Sequence, residues 1–102
     1  MPSSHRLILT AEAEDDLAGI WQYVAEQWGE SQAESYTDGI LGKLNHLTWF
    51  PELGRERSEI APELRSLVIG QHVAFYRRHE QDVIVLRIFH TRQDIGETLI
   101  PE

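Results

Sequence analysis

The chain has 102 residues, no cysteine and a formal charge of −8, with nine Lys and Arg against seventeen Asp and Glu. Lack of cysteine excludes a disulfide scaffold, a thiolate nucleophile and any sulfur-bound zinc, while 41% apolar and 25% charged residues describe one globular domain, residues 1–102, and not a disordered chain. The acid excess argues against direct nucleic-acid binding, which needs cations for phosphate, and no apolar run nears the roughly 18–20 residues of a membrane span.

His5 to Leu9 is short, apolar and β-capable, and reads as a first strand. Met1 to Leu7 is too short and polar for a signal peptide, so the expected location is the cytoplasm, with no membrane partner. Thr10 offers a helix N-cap, and Glu12, Glu14, Asp15 and Asp16 follow where the helix dipole favours negative charge. Apolar residues recur at Ala13, Leu17, Ile20, Val24 and Trp28, with Trp21 and Ala25 beside them, and Gly29 supplies the stop.

Ser31-Gln32-Ala33-Glu34 has the form of a capping box and predicts a second helix almost immediately. Its apolar stripe is Ala33, Tyr36, Ile40, Leu44 and Leu47, and Phe50-Pro51 closes it because a residue before proline leaves the helical region. So short a gap makes the two helices an antiparallel hairpin. Residues 51–63 read as irregular, with turn chemistry at Pro51-Glu52-Leu53-Gly54.

The pattern then changes to period two. Leu64 to Ile69 and His72 to Arg78 are strands joined by a tight Gly70-Gln71 turn, and a second turn at His79-Glu80-Gln81 leads into a strand from Asp82 to His90. Val83 to Leu86 is apolar on both faces, the mark of a central strand. Arg92 to Glu102 is a tail in which Ile95, Leu99 and Ile100 form a candidate half-buried segment. The fold class is α+β, in the order β-α-α-β-β-β, a helical hairpin packed on one face of a mostly antiparallel sheet.

Motifs for common chemistries are missing. There is no Gly-rich phosphate loop, no G-x-S-x-G and no HExxH, and the five histidines have no paired ligand spacing. No catalytic residue, metal or cofactor is therefore expected.

The charge is divided along the chain. Residues 1–50 hold eight acids against Arg6 and Lys43, whereas residues 65–92 hold five arginines against Glu80 and Asp82. Arg77 and Arg78 read as solvated strand positions. Strict alternation in the last strand puts Val83, Val85, Arg87 and Phe89 on one face, and the helices can cover only one side of the sheet. Arg87 is expected opposite the helices, with Arg65, Leu67 and Ile69 sharing that face. Such a face suits a partner peptide that is both apolar and acidic. The alternative is that the tail folds back over it and Arg87 pairs with a carboxylate such as Asp94.

In register over about ninety residues, several local patterns resemble one family. They are Leu9-Thr10-Ala11, Ala13-x-x-Asp16-Leu17-x-x-Ile20-x-x-Tyr23, Pro51-x-Leu53-Gly54, Leu64-Arg65, Phe75-Tyr76-Arg77 and Val85-Leu86-Arg87-Ile88-x-His90-x-Arg92-x-Asp94. Together they are similar to the ParE branch of the RelE/ParE toxins of bacterial type II toxin–antitoxin pairs. The resemblance implies a toxin that inhibits DNA gyrase by protein contact and is neutralised by a ParD-type, ribbon-helix-helix antitoxin. It makes Arg65, Arg87, Arg92, His90 and Tyr76 the candidate contacts to antitoxin or target.

The RelE branch, which cuts mRNA on the ribosome, needs acid–base groups and several cations around the phosphate. Here Lys43 is the only lysine and lies in a helix, and Thr91 follows His90 where that branch has tyrosine. His90 remains a candidate general base for that alternative. A degenerate, non-toxic module that only binds antitoxin is the third reading.

Overall fold

Thr10 does what its position after the first strand predicts. In a computed structural model that describes residues 5–92, its hydroxyl accepts from the Ala13 amide at 3.1 Å and starts helix α1, Ala11–Trp28. Strand β1, Arg6–Leu9, precedes it. Helix α2, Glu30–His46, follows after Gly29 alone.

Gly29 serves both helices. Its amide bonds to Ala25 O at 2.9 Å and its carbonyl accepts from Ala33 N at 3.1 Å, at φ 99°, a conformation that favours glycine. The expected Ser31–Glu34 capping box does not form, because Ser31 is already inside the helix and no side chain caps α2. Nor does α2 reach Phe50-Pro51: it ends at His46, and turns through Leu47, Thr48 and Trp49 follow, with Thr48 Oγ1 bonded to Asn45 O at 2.7 Å.

The described residues form a five-stranded sheet in the order β1-β5-β4-β3-β2. Its remaining strands are β2, Arg55–Glu56; β3, Arg65–Ile69; β4, His72–His79; and β5, Asp82–His90. Of the neighbouring strands, β1 and β5 pair in parallel and the others are antiparallel. The two-residue β2, which the sequence reading leaves as loop, pairs with β3 at Ser66 and Arg65. Gly70 at φ 61° turns the β3–β4 hairpin as expected.

Two apolar cores lie on the two sides of the sheet. The larger joins the helices (Ala13, Ile20, Val24, Ala33, Ile40, Leu44) to Tyr76, Val83, Val85 and Ile88. The smaller is Leu64, Val73, Phe75 and Phe89, with Ile60 and Ala61 of the preceding loop packed on it. Trp28, expected in the α1 stripe, is 66% exposed.

Strict alternation fails in β5. Tyr76 pairs with Val85, but its neighbour Phe75 pairs with Arg87, so Leu86 is an extra residue in a β-bulge. The bulge separates Arg87 and Phe89 from Val83 and Val85, which face the helices. Arg87 does lie on the side away from the helices, as expected, but Ile88 and not Arg87 continues the row of Val83 and Val85.

Candidate interaction surfaces

β1 ends at Leu9, so among the described residues the second half of β5 has no neighbouring strand on that side. Residues from α1 and its cap close the gap. Thr10 Oγ1 donates to Leu86 O at 2.9 Å, and the Asp16 carboxylate accepts from Ile88 N at 2.9 Å. The same carboxylate takes Arg87 in a bidentate pair at 2.8 and 3.0 Å. The carboxylate hydrogen bond holds Arg87 more firmly protonated than an ordinary guanidinium. The internal partner of Arg87 is thus Asp16, 71 residues away; Asp94 lies outside the described residues.

On that side of the sheet Phe75 and Phe89 meet edge to face at 6.1 Å. Arg87 lies over Phe89 at 4.5 Å and Arg57 over Phe75 at 5.5 Å. Arg57 also donates to Ser66 Oγ and Glu59, and its loop supplies Ile60 and Ala61. The face expected to await a partner is therefore largely covered by the chain's own loop.

Arg65 does not share that face. It pairs with Tyr76 of the larger core, whereas Arg87 pairs with Phe75 of the smaller one, so the two arginines point to opposite sides. Arg65 donates to Gly54 O at 2.6 Å and Glu52 O at 3.3 Å, and meets Glu56 at 3.3 Å. Tyr76, with 0% exposure, is no surface contact: its hydroxyl donates to Pro51 O at 2.8 Å and accepts from Gly54 N at 2.7 Å. Burial raises the pKa of that phenol. Both side chains brace a turn that presents Trp49, Phe50 and Leu53 to solvent.

His90 joins a different group. On the helix side of the β4–β5 ends, His72 and His90 stack edge to face at 5.4 Å. Tyr36 Oη meets His72 Nδ1 at 2.7 Å and accepts from Gln71 N at 3.3 Å. Burial, then the neighbouring His90, lowers the pKa of His72 and so favours its neutral ring. Arg92 is exposed just beyond, its amide bonded to His90 Nδ1 at 3.2 Å. Sequence reasoning missed Asp16, Arg57, Tyr36 and His72; only Asp16 carried a signal, as one of the acids at the start of α1.

Arg65 and Arg87 face away from each other, each held by oxygens of this chain. Among the described residues no three His, Asp or Glu side chains are placed to hold a metal ion. No helix among them is long and apolar enough to cross a membrane.

Comparison with known proteins agrees with this architecture. Residues 7–95 match the family described as ParE toxin of type II toxin–antitoxin system, parDE. Toxin ParE1 of Mycobacterium tuberculosis is 34% identical over 97 residues, covering 94% of this chain and 99% of that one. Toxin ParE3 of Caulobacter vibrioides is 32% identical over 94 residues, covering 92% and 94%. A solved structure of the chromosomal ParDE toxin–antitoxin system from P. aeruginosa superposes with a TM-score of 0.76 at 22% identity, over 87% of this chain and 98% of that one, a likeness of fold.

Proposed function

As the chain belongs to the ParE toxin family of type II toxin–antitoxin systems, we propose that it acts in the cytoplasm by binding and inhibiting DNA gyrase, and is neutralised by a ParD-type antitoxin of the ribbon-helix-helix class. In this reading it is not an enzyme. One observation carries the choice against mRNA cleavage: Arg65 and Arg87, the arginines a nuclease would need on one phosphate, sit on opposite sides of the sheet and are occupied by Gly54 O and Asp16. A phosphorane needs cations and a base converging on one point, in an environment that keeps its positive charge. The net charge of −8 supports the same choice.

Arg65 and Arg87 then serve recognition indirectly, by fixing the 51–56 turn and the end of β5. Arg92 and His90, at the chain's exit from the sheet, are the proposed direct contacts. The test is a pair of assays on purified protein: inhibition of supercoiling by gyrase, and cleavage of ribosome-bound mRNA. Inhibition without cleavage is expected, and the reverse result would assign the chain to RelE-type chemistry. Absence of growth arrest on expression without antitoxin would mark a degenerate module.

A further inference from the structure

The turn that follows α2 holds three large apolar side chains in solvent within five residues. Trp49, Phe50 and Leu53 each stand more than half exposed. The backbone beneath them is braced. Leu53 N bonds to Phe50 O at 3.0 Å, the Tyr76 hydroxyl donates to Pro51 O and accepts from Gly54 N, and Arg65 donates to Glu52 O and Gly54 O. Tyr76 belongs to the larger core and is fully buried. A segment that only connected α2 to β2 would gain by turning such side chains inward. A brace anchored in the core that keeps them outside is the arrangement of a binding loop on a rigid scaffold, ordered before any partner arrives. Apolar side chains gathered in this way mark contact surfaces, and the three line a depression of about 460 Å³ with Arg78 at its side.

The charge beside the turn narrows the occupant. A second depression of about 510 Å³ shares Pro51, Glu52 and Arg78 with the first and adds Glu56, Glu63 and Glu80. Arg78 meets Glu52 at 3.7 Å and Arg65 meets Glu56 at 3.3 Å, so the exposed Glu63 and Glu80 leave this side of the turn negative. Nucleic acid is repelled there by its phosphates. A second copy docking through the same turn would set these carboxylates against their own equivalents, because a two-fold interface uses one patch twice. What fits is a protein surface with an apolar hollow and a cationic rim. An enzyme that handles DNA carries Lys and Arg for the phosphates, which is that chemistry.

We propose that the 49–54 turn is a contact surface for DNA gyrase, with Trp49, Phe50 and Leu53 entering an apolar hollow beside Lys or Arg side chains of the enzyme. The inference rests on the reading that gyrase is the target, and it adds which part of the chain touches it and what receives that part. Pro51-x-Leu53-Gly54, Arg65 and Tyr76 then have a joint purpose: the turn presents the apolar side chains, and the other two residues fix its direction.

The experiment measures binding to purified gyrase and half-inhibition of supercoiling, for the wild-type chain and for variants whose thermal melt is unchanged. Phe50→Ala and Leu53→Ser, both at exposed positions, are each expected to weaken binding and inhibition at least tenfold. Val68→Ser, at an apolar position as exposed as Phe50 but on β3 outside the turn, is expected to stay within twofold. Binding of the wild type should weaken as salt rises, and joint replacement Glu63→Gln and Glu80→Gln should flatten that dependence. A salt dependence left unchanged would overturn the cationic rim. If the wild type inhibits gyrase and Phe50→Ala and Leu53→Ser inhibit equally well, the turn is not the contact, while the gyrase reading stands. If the wild type neither binds nor inhibits gyrase, that reading falls and this inference with it. Self-association of the chain that Phe50→Ala abolishes, with inhibition unchanged, would make a second copy the occupant and overturn the proposal.

Discussion

Asp16 and Arg87 are joined by two hydrogen bonds, at 2.8 and 3.0 Å, and the same carboxylate ties down the Ile88 amide at 2.9 Å. One side chain thus connects the first turns of α1 to the end of β5. Asp16→Ala leaves a half-buried guanidinium and an amide without partners, and is expected to cost about 2–3 kcal/mol by urea denaturation. Removing Asp82 from its pair with Arg6 is the control. The Arg6 side chain is 77% exposed, so solvent screens the pair, and the midpoint is expected to stay where it was. Equal losses in both variants would contradict this account.

Thr10 acts at both ends of its hydroxyl, accepting from Ala13 N and donating to Leu86 O. Thr10→Ala removes the helix cap and the bulge's anchor together and should lower stability by about 1–2 kcal/mol. Thr10→Ser keeps both bonds and should recover most of the loss. A serine variant as unstable as alanine would point to the methyl group instead.

Gly54 leaves no room for a methyl group. A Cβ there would lie 2.5 Å from Tyr76 Oη and 2.7 Å from Ser66 O. Gly54→Ala is expected to destabilise by about 1–3 kcal/mol, the usual range for forced overpacking. Tyr76→Phe, which strips two hydrogen bonds from the 51–54 turn, should cost about 1–2 kcal/mol. Combining them should not rescue the alanine, because Tyr76 Cε1 at 2.6 Å and the Ser66 carbonyl still obstruct it. Rescue in the double variant would mean that the hydroxyl alone sets the limit.

The lowered pKa of His72 has a defined consequence for stability. The unfolded chain takes up a proton at this residue near the ordinary value of 6.5, whereas the folded chain resists it. The unfolded state therefore binds more protons just below that pH, and stability falls as pH falls through it; above it the full contribution is present. Urea midpoints at pH 7.5 and 5.5 measure the slope. His72→Gln, whose side-chain amide can still hydrogen-bond Tyr36 Oη but takes up no proton, should flatten it. An unchanged slope would place the proton elsewhere.

Much of the scaffold was legible because its signals are local. Thr10, Gly29 and the Gly70-Gln71 turn each act within a few residues, so their chemistry can be read directly. Ser31–Glu34 misled for an equally local reason: the pattern is sound, but Gly29 begins the helix two residues earlier. The bulge at Leu86 has no such signature, because an apolar residue followed by an arginine looks the same in a regular strand. Once the phase of β5 shifts there, the companions of Arg87 change, and Arg65 is found on the other side of the sheet. The Asp16–Arg87 pair spans 71 positions and emerges only when α1 crosses the end of β5. The exposure of Trp28 was hidden because helical spacing shows which residues share a stripe, not how far along it the sheet extends.

Gly29 ends one helix and starts the next, with no other residue between them. The hairpin consequently has no slack in its numbering. Adding or deleting one residue at this joint would rotate α2 by about 100° about its axis relative to α1, in opposite senses. Either way Ala33, Ile40 and Leu44 would turn away from the sheet; a deletion would bring Glu34 and Asp38 toward it, an insertion Gln32 and Lys43. Relatives that keep this packing are therefore expected to hold the length of this joint constant while loops elsewhere vary, which makes the spacing from Thr10 to Leu44 a fixed ruler for aligning them.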